Sequence, residues 1–354
     1  MTGHDEERIP VLVVGAGAAG LATALELARR GLAPIVIERR PGASRHPRAT
    51  ALTAETMRLM TRWGAEPEVR RLGFRSQPAM SVRPCLTGPE IQRLPFPDHV
   101  WTCAQDHLET ILAQCAVPSG TQLRYGSRLT GLEAADGSVL ATVAAQGSGC
   151  ATIRAQYVVG ADGAHSTVRE AGGIATTRQR GYGHWISILF RAPLRDYTGD
   201  EPCMVYAIGD SSAGGVFVPA DGTDRWIRGL PWHPELGERP EDYGQARCED
   251  LIRAGAGVPD LPVEILDVRA FEMTASIAGR YRAGRIVLAG DAAHVFTPST
   301  GMGLNLAIHD AAVLAQHLTD AVSAEDQPEM LDRYEQARRP LAEKLLAPDL
   351  APAQ

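Results

Sequence analysis

The 354-residue sequence predicts an α/β protein, a Rossmann-like dinucleotide-binding domain carrying an inserted, mainly antiparallel β-sheet domain. Three observations predict it. A glycine-rich turn, Gly15-Ala16-Gly17-Ala18-Ala19-Gly20, joins an apolar run to a helical pattern near the N-terminus. Two later apolar runs end in Asp162-Gly163 and Gly290-Asp291. The middle third breaks into short β-rich runs separated by turn residues.

In chain order, residues 9–14 form a continuous apolar run, as a buried parallel strand requires, and residues 18–30 keep helical spacing up to Gly31. Residues 34–38 are the second strand, helices follow at 53–63 and 106–115, and a Pro- and Gly-rich stretch at 77–97 lies between those helices. Residues 157–160 are a short strand. Runs at 185–191, 204–208, 215–218, 226–230 and 263–271 read as antiparallel strands of the inserted domain. Residues 285–289 return to the parallel-strand pattern, and helices at 303–317 and 328–346 end the chain.

Composition narrows the function. With 44% hydrophobic and 22% charged residues, disorder, collagen and coiled coil are excluded. A net charge of −7 gives no electrostatic reason to bind nucleic acid or an anionic membrane. The six cysteines (Cys85, Cys103, Cys115, Cys150, Cys203, Cys248) include no C-x-x-C, so neither a metal site nor a redox dithiol is expected. No apolar leader follows the polar N-terminus, and Gly15, Gly17, Gly20 and Glu26 interrupt the most apolar early run, so a cytoplasmic protein is expected.

Each motif has a physical rationale. Gly15 permits the tight turn, Gly17 allows a pyrophosphate to approach the backbone, and Gly20 permits close helix–strand packing, while the helix beginning at Ala18-Ala19 offers free N–H groups and a favourable dipole. Glu38, 18 residues after Gly20, is placed to accept hydrogen bonds from a ribose. At this point the ligand is NAD or FAD. The Asp162-Gly163 turn, with Ser166 behind it, reads equally as a capped helix start. Asp291 stands at the C-terminal end of a parallel strand, where open α/β sheets bind ligands, and Gly301 and Gly303 precede a helix.

In order and spacing these blocks resemble the class A flavoprotein monooxygenases, the family with the para-hydroxybenzoate hydroxylase fold, and in particular the FAD hydroxylases of aromatic polyketides. The resemblance implies a three-layer ββα FAD-binding domain made of residues 1–75, 101–180 and 276–354, with residues 76–100 and 181–275 forming the substrate domain. It implies that the first block, with Glu38 and Arg39, binds the FAD diphosphate and ribose. Asp162, Gly163 and Arg169 then serve FAD and nicotinamide, Gly290 and Asp291 hold the ribityl chain, and Pro298, Gly301, Gly303, Leu304 and Asn305 lie beside the isoalloxazine ring. Arg48 resembles the family arginine that contacts FAD, and Gln105 the glutamine at the ribityl chain. Many polyketide-acting relatives carry an extra thioredoxin-like C-terminal domain; the chain is expected to belong with the shorter members, as monomer or homodimer.

The implied reaction uses NADPH or NADH to reduce FAD, then O2 and a flavin C4a-hydroperoxide to oxygenate a small aromatic substrate. The single G-x-G-x-x-G leaves the nicotinamide to dock transiently. No residue stands out as catalytic base; His184, Tyr206 and His233 are the candidates in the substrate domain, with Trp185, Phe217, Trp226 and Trp232 as aromatic lining. His294 is read as shaping the flavin edge rather than moving protons. A Baeyer–Villiger or epoxidising enzyme on the same scaffold, and a non-catalytic FAD-binding protein, remain the alternatives. A halogenase would require an active-site lysine and a W-x-W-x-I-P motif, whereas the only lysine is Lys344 and that motif is absent. A simple NAD-dependent dehydrogenase would leave the second and third blocks unexplained.

Overall fold

The computed structural model describes residues 6–96, 98–145, 149–209, 214–298, 301–324 and 327–350, so Ser299 and Thr300 of the third block lie outside the described residues. Its first sheet is built on five parallel strands in the spatial order Ile286–Leu288, Gly149–Gly160, Glu7–Val14, Ile35–Glu38 and Gln122–Tyr125. Burial on both faces accounts for the unbroken apolar run: Val11, Leu12, Val13 and Val14 are all buried. Helix Ala18–Arg29 buries every residue from Ala18 to Ala28, because it packs on this sheet and also against helices Gln105–Ala116 and Gly303–Ser323.

Strands Ser127–Ala135 and Ser138–Ala145 add an antiparallel hairpin to the Gly149–Gly160 strand. This hairpin adds to the elements expected from the sequence. Its signal is Asp136-Gly137 between two alternating runs, and Gly137 has φ +62°, the left-handed conformation a tight hairpin turn needs.

The second sheet runs in the order His294–Val295, Glu264–Ala278, Thr176–Arg191, Arg225–Trp232, Gly215–Pro219, Cys203–Ile208, Gln77–Arg83, Gln92–Pro95. The stretch read as a Pro- and Gly-rich connection thus supplies two strands, and one of them, Gln77–Arg83, pairs in parallel with Cys203–Ile208. Gln92–Pro95, the short strand at the edge, tolerates its proline because one side of its ladder needs no partner. One face of this sheet packs on helix Gln245–Ala256, also additional to the elements expected from the sequence, to form a second core containing Ile186, Ile188, Phe190, Phe217 and Trp226.

The opposite face turns toward the first sheet. A small cluster of Ala104, Leu189, Ala220 and Ile227 joins the two, and Arg225 forms a buried ion pair with Asp106 at 2.5 Å while donating to His107 Nε2 and the Arg45 carbonyl, each at 3.1 Å. The second sheet is therefore fixed to the start of helix Gln105–Ala116. No helix among the described residues is long and apolar enough to cross a membrane.

Candidate functional site

The three glycine-containing turns meet because their strands are neighbours: Glu7–Val14, Gly149–Gly160 and Ile286–Leu288 lie side by side and in parallel, so all three motifs emerge at the same edge. Gly15, at φ +106°, packs so closely on the second block that a Cβ there would lie 2.3 Å from the Ala161 carbonyl oxygen. A Cβ on Gly20 would fall 1.9 Å from the Gly15 carbonyl oxygen, and one on Gly290 2.8 Å from Ala19 Cβ. Gly17 is less crowded, since a Cβ there would meet nothing nearer than Glu109 Oε1 at 3.7 Å. The turn is a cradle packed tightly at Gly15 and Gly20 and less so at Gly17, with the amides of Ala18 and Ala19 at the start of the helix.

Glu38 accepts from Ala16 N at 3.0 Å, Arg40 N at 2.9 Å and Arg40 Nε at 2.9 Å. Burial pushes this carboxyl up, but those hydrogen bonds outweigh it and hold it below the usual carboxylate range. The partner is Arg40; Arg39 points outward with no hydrogen bond to a described residue.

In the second block the carboxylate of Asp162 caps helix Thr167–Ala171, accepting from the Ser166 hydroxyl and, at 3.1 Å, from Val168 N. Burial raises its pKa against those bonds. Gly163 takes φ +88° in the turn, and Arg169 donates to the carbonyls of Ala292 at 3.0 Å and Ala164 at 2.8 Å, tying the second block to the third. These side chains are used by the fold itself. Asp291, in contrast, is half-buried and makes no hydrogen bond to a described residue, which leaves its carboxylate available to a ligand.

Asn305 is fully buried, and its amide is saturated: Oδ1 accepts from Thr53 N and Thr56 Oγ1, and Nδ2 donates to the Ala51 and Gly301 carbonyls. It clamps the Gly301–Gly303 turn onto residues 51–56 and leaves the backbone at Gly303 and Leu304 to open helix Gly303–Ser323. Pro298 is exposed just before this turn. Arg48 is exposed without a partner among the described residues, and Gln105 donates Nε2–H to Glu109 Oε1 at 2.8 Å. His294 lies in the core against Asp310, which is in turn held by Arg338.

The substrate-domain candidates separate from this centre. Tyr206 is buried on the far face of the second sheet, where its hydroxyl accepts from Cys203 N and burial pushes its pKa up to about 12. His184 stacks edge-on against Trp232 and shares the far-face register with Ile186, while His233 is exposed beyond the strand end and paired with Glu235. Phe217 and Trp226 belong to the second core. The structure brings none of these to the face that confronts the glycine turns, because residues two apart on a strand share a face and these fall on the wrong parity.

That face instead presents Met80, Val82, Val205, Ala207, Val216 and Val218, aligned across three strands and each only half-buried, beside Trp185 and Gly229 on the next two. It also carries a group that the sequence reading passed over. His46 bridges the Arg48 loop to the sheet, with Nδ1 3.0 Å from Asp267 Oδ2 and Nε2 2.7 Å from Ser187 Oγ. Asp267 is ionised: burial raises its pKa, but Arg269 and His46 more than compensate. Nδ1 must therefore carry the proton, so Nε2 accepts from the Ser187 hydroxyl. No spacing signal exists for three residues contributed by a loop and two distant strands.

The cradle fits FAD: it has an uncrowded Gly17, uncapped helix amides, a free carboxylate in Asp291, and one buried orphan, Glu109 Oε2, on the carboxyl against the turn. The comparisons agree. Residues 8–348 match the family described as FAD binding domain. A putative polyketide hydroxylase of Streptomyces coelicolor is 36% identical over 357 residues, covering 96% of this chain and 57% of that protein. Aklavinone 12-hydroxylase of Streptomyces purpurascens is 35% identical over 98% of this chain and 69% of its own length. Among solved structures, aklavinone-11 hydroxylase in complex with FAD and aklavinone superposes with TM-score 0.86 at 35% identity, covering 98% of this chain and 68% of that one. The p-nitrophenol 4-monooxygenase of Pseudomonas putida gives TM-score 0.84 at 25% identity, with 97% and 87% covered. The chain thus spans little more than half the length of the first of these curated relatives. On the evidence of the three converging turns and of these matches, this chain belongs to the FAD-binding domain family that includes the aromatic-polyketide flavin hydroxylases.

Proposed function

We propose that the chain is an FAD-dependent monooxygenase that consumes NADH or NADPH and inserts one oxygen atom from O2 into a flat aromatic, polyketide-like substrate. The balance is ArH + O2 + NAD(P)H + H⁺ → ArOH + H2O + NAD(P)⁺. Bound FAD supplies the redox chemistry, taking two electrons from the nicotinamide and activating O2. The observation that carries the reading is the facing of two surfaces: a dinucleotide cradle on one sheet and a half-buried aliphatic wall, Met80 to Val218, on the other. An apolar wall opposite the cradle suits a ring system and excludes water from the reacting atoms. The names of the relatives, aklavinone hydroxylases among them, support an aromatic polyketide as the substrate class.

The chain's own residues divide the remaining work. The amides at Ala18 and Ala19 receive the diphosphate, Asp291 the ribityl hydroxyls, and the backbone at Gly301–Leu304, opening a long helix, receives negative charge on the reduced ring. Arg48, exposed and near enough to Glu109 at the Gly17 turn to act on its charge, is a cation for the flavin or the nicotinamide. Ser187 donates its O–H hydrogen bond to His46 Nε2, so its oxygen is free to accept a phenolic hydrogen; burial keeps His46 below its ordinary pKa and hence a neutral acceptor, backed by Asp267.

The test is the anaerobic rate of flavin bleaching by NADPH and NADH, with and without phenols, naphthols and anthraquinones, followed by mass analysis of aerobic product. Acceleration by one ring class and a product heavier by one oxygen are expected. Equal reduction rates without any ring compound, or hydrogen peroxide as the sole product with every ring, would refute the hydroxylase reading.

A further inference from the structure

The orphaned oxygen of Glu109 has a consequence for how FAD binds. Glu109 stands one turn into helix Gln105–Ala116 and is 3% exposed, with its carboxyl against the Gly17 turn. Its two oxygens differ. Oε1 accepts from Gln105 Nε2 at 2.8 Å, whereas Oε2 is buried with no hydrogen-bond partner among the described residues; the carboxyl as a whole lies beside the Ala18 amide. A buried polar oxygen without a partner is costly, and native proteins rarely retain one unless a ligand completes it.

The ligand side of this space is where the diphosphate of FAD is received. Its oxygens accept hydrogen bonds but cannot donate them, so a carboxylate there would meet an anion with no shared proton. The groups around Glu109 do not remove the conflict. Arg40 is already committed to Glu38, Arg48 is exposed to solvent, Tyr125 is half-buried on the neighbouring strand Gln122–Tyr125, and Glu38 adds a second carboxylate. With Oε1 accepting from Gln105 and Oε2 unpartnered, any proton on this carboxyl belongs on Oε2.

We infer that Glu109 binds FAD as a protonated carboxylic acid, donating Oε2–H to a diphosphate oxygen, so that FAD binding takes up one proton. Burial, which raises the carboxyl's pKa against the pull of Gln105, Arg40, Arg48 and the Ala18 amide, acts in the same direction. Gln105 is then the positioning residue that fixes which oxygen carries the hydrogen. The inference rests on FAD as the bound dinucleotide.

The experiment is FAD binding to the apoprotein, followed by quenching of flavin fluorescence between pH 5.5 and pH 8.5, for the wild type and Glu109→Gln. The diphosphate does not titrate in this range. The wild-type Kd should rise with pH, approaching tenfold per unit above the pKa of the free carboxyl. Glu109→Gln, which keeps an N–H donor without a titrating group, should bind at pH 7.5 at least as tightly and lose this slope. Calorimetry of the wild type in two buffers of different ionisation enthalpy should show proton uptake, which decides the matter even if the variant fails to fold. A flat wild-type profile without uptake, or a folded Glu109→Gln that keeps the slope, would overturn the proposal. So would a folded variant that no longer binds FAD, since a charged acceptor would then be required. If the wild type itself takes up no FAD at any pH, the cofactor assignment falls as well.

Discussion

The ion pair between Asp106 and Arg225 offers a prediction whose size follows from its surroundings. Both side chains are less than a tenth exposed, and the carboxylate holds the guanidinium through Oδ2 at 2.5 Å and Oδ1 at 3.4 Å. Asp106→Ala strands a buried cation, which costs about 3–5 kcal/mol when one partner of such a pair is removed. Arg225 would keep His107 Nε2 and the Arg45 carbonyl, each at 3.1 Å, so the lower end applies. With an unfolding entropy of about 2.1 cal/mol/K per residue over 354 residues, a loss of about 3 kcal/mol lowers Tm by about 4 °C if the chain unfolds as one unit. Thermal melts of the FAD-loaded protein, read by circular dichroism, measure it. Arg225→Met should cost a similar amount by leaving the carboxylate unpaired, and the double variant should be less destabilised than the sum by about 2 kcal/mol. A coupling energy near zero, or an unchanged Tm for Asp106→Ala, would show that this pair does not join the second sheet to helix Gln105–Ala116.

Other outcomes follow from single contacts. Gly20→Ala has no space for its Cβ, 1.9 Å from the Gly15 carbonyl oxygen, and should purify without FAD; full flavin occupancy would mean that the turn yields. Asp291→Ala removes a carboxylate that the fold does not use, so it should lose FAD while keeping its melting behaviour without cofactor, and retained flavin would end the ribityl assignment. His46, whose pKa is lowered from 6.5 chiefly by burial, binds a proton more readily unfolded than folded. Its stabilising contribution is therefore complete above about pH 6.5 and is lost as pH falls toward its folded pKa. His46→Gln should flatten the decline in stability between pH 7 and pH 5, as measured by urea unfolding; an unchanged slope would assign that decline to other groups.

Much of the dinucleotide cradle was legible because its requirements are local. Gly15 and Gly20 are demanded by backbone contacts within one β-turn-α unit, and the run from Val11 to Val14 is apolar because a central parallel strand is covered on both faces. The strands at 77–83 and 92–95 were not legible, since one pairs with a strand more than a hundred residues away and the other forms the sheet edge, and the prolines in and around them signal a loop. The hairpin around Gly137 was legible in principle, through Asp136-Gly137.

The substrate wall marks the limit more sharply. Sequence can mark Tyr206, His184 and Trp226 as chemically capable, but strand parity and the position of helix Gln245–Ala256 decide that they face a packed core while Val205 and Val216 face the cradle.

By itself, then, the sequence determined the features written within a single unit: the three turns, their order, the parallel strands before them and hence a dinucleotide cradle. Only the tertiary structure decided which side chains from distant segments meet. It put Arg40 rather than Arg39 on Glu38, joined His46 to Ser187 and Asp267, and buried the Glu109 carboxyl against Gly17 with its Oε2 unpartnered. The physical reason is that backbone geometry and periodicity act between neighbours in the chain, whereas burial, hydrogen-bond satisfaction and charge pairing depend on neighbours in space.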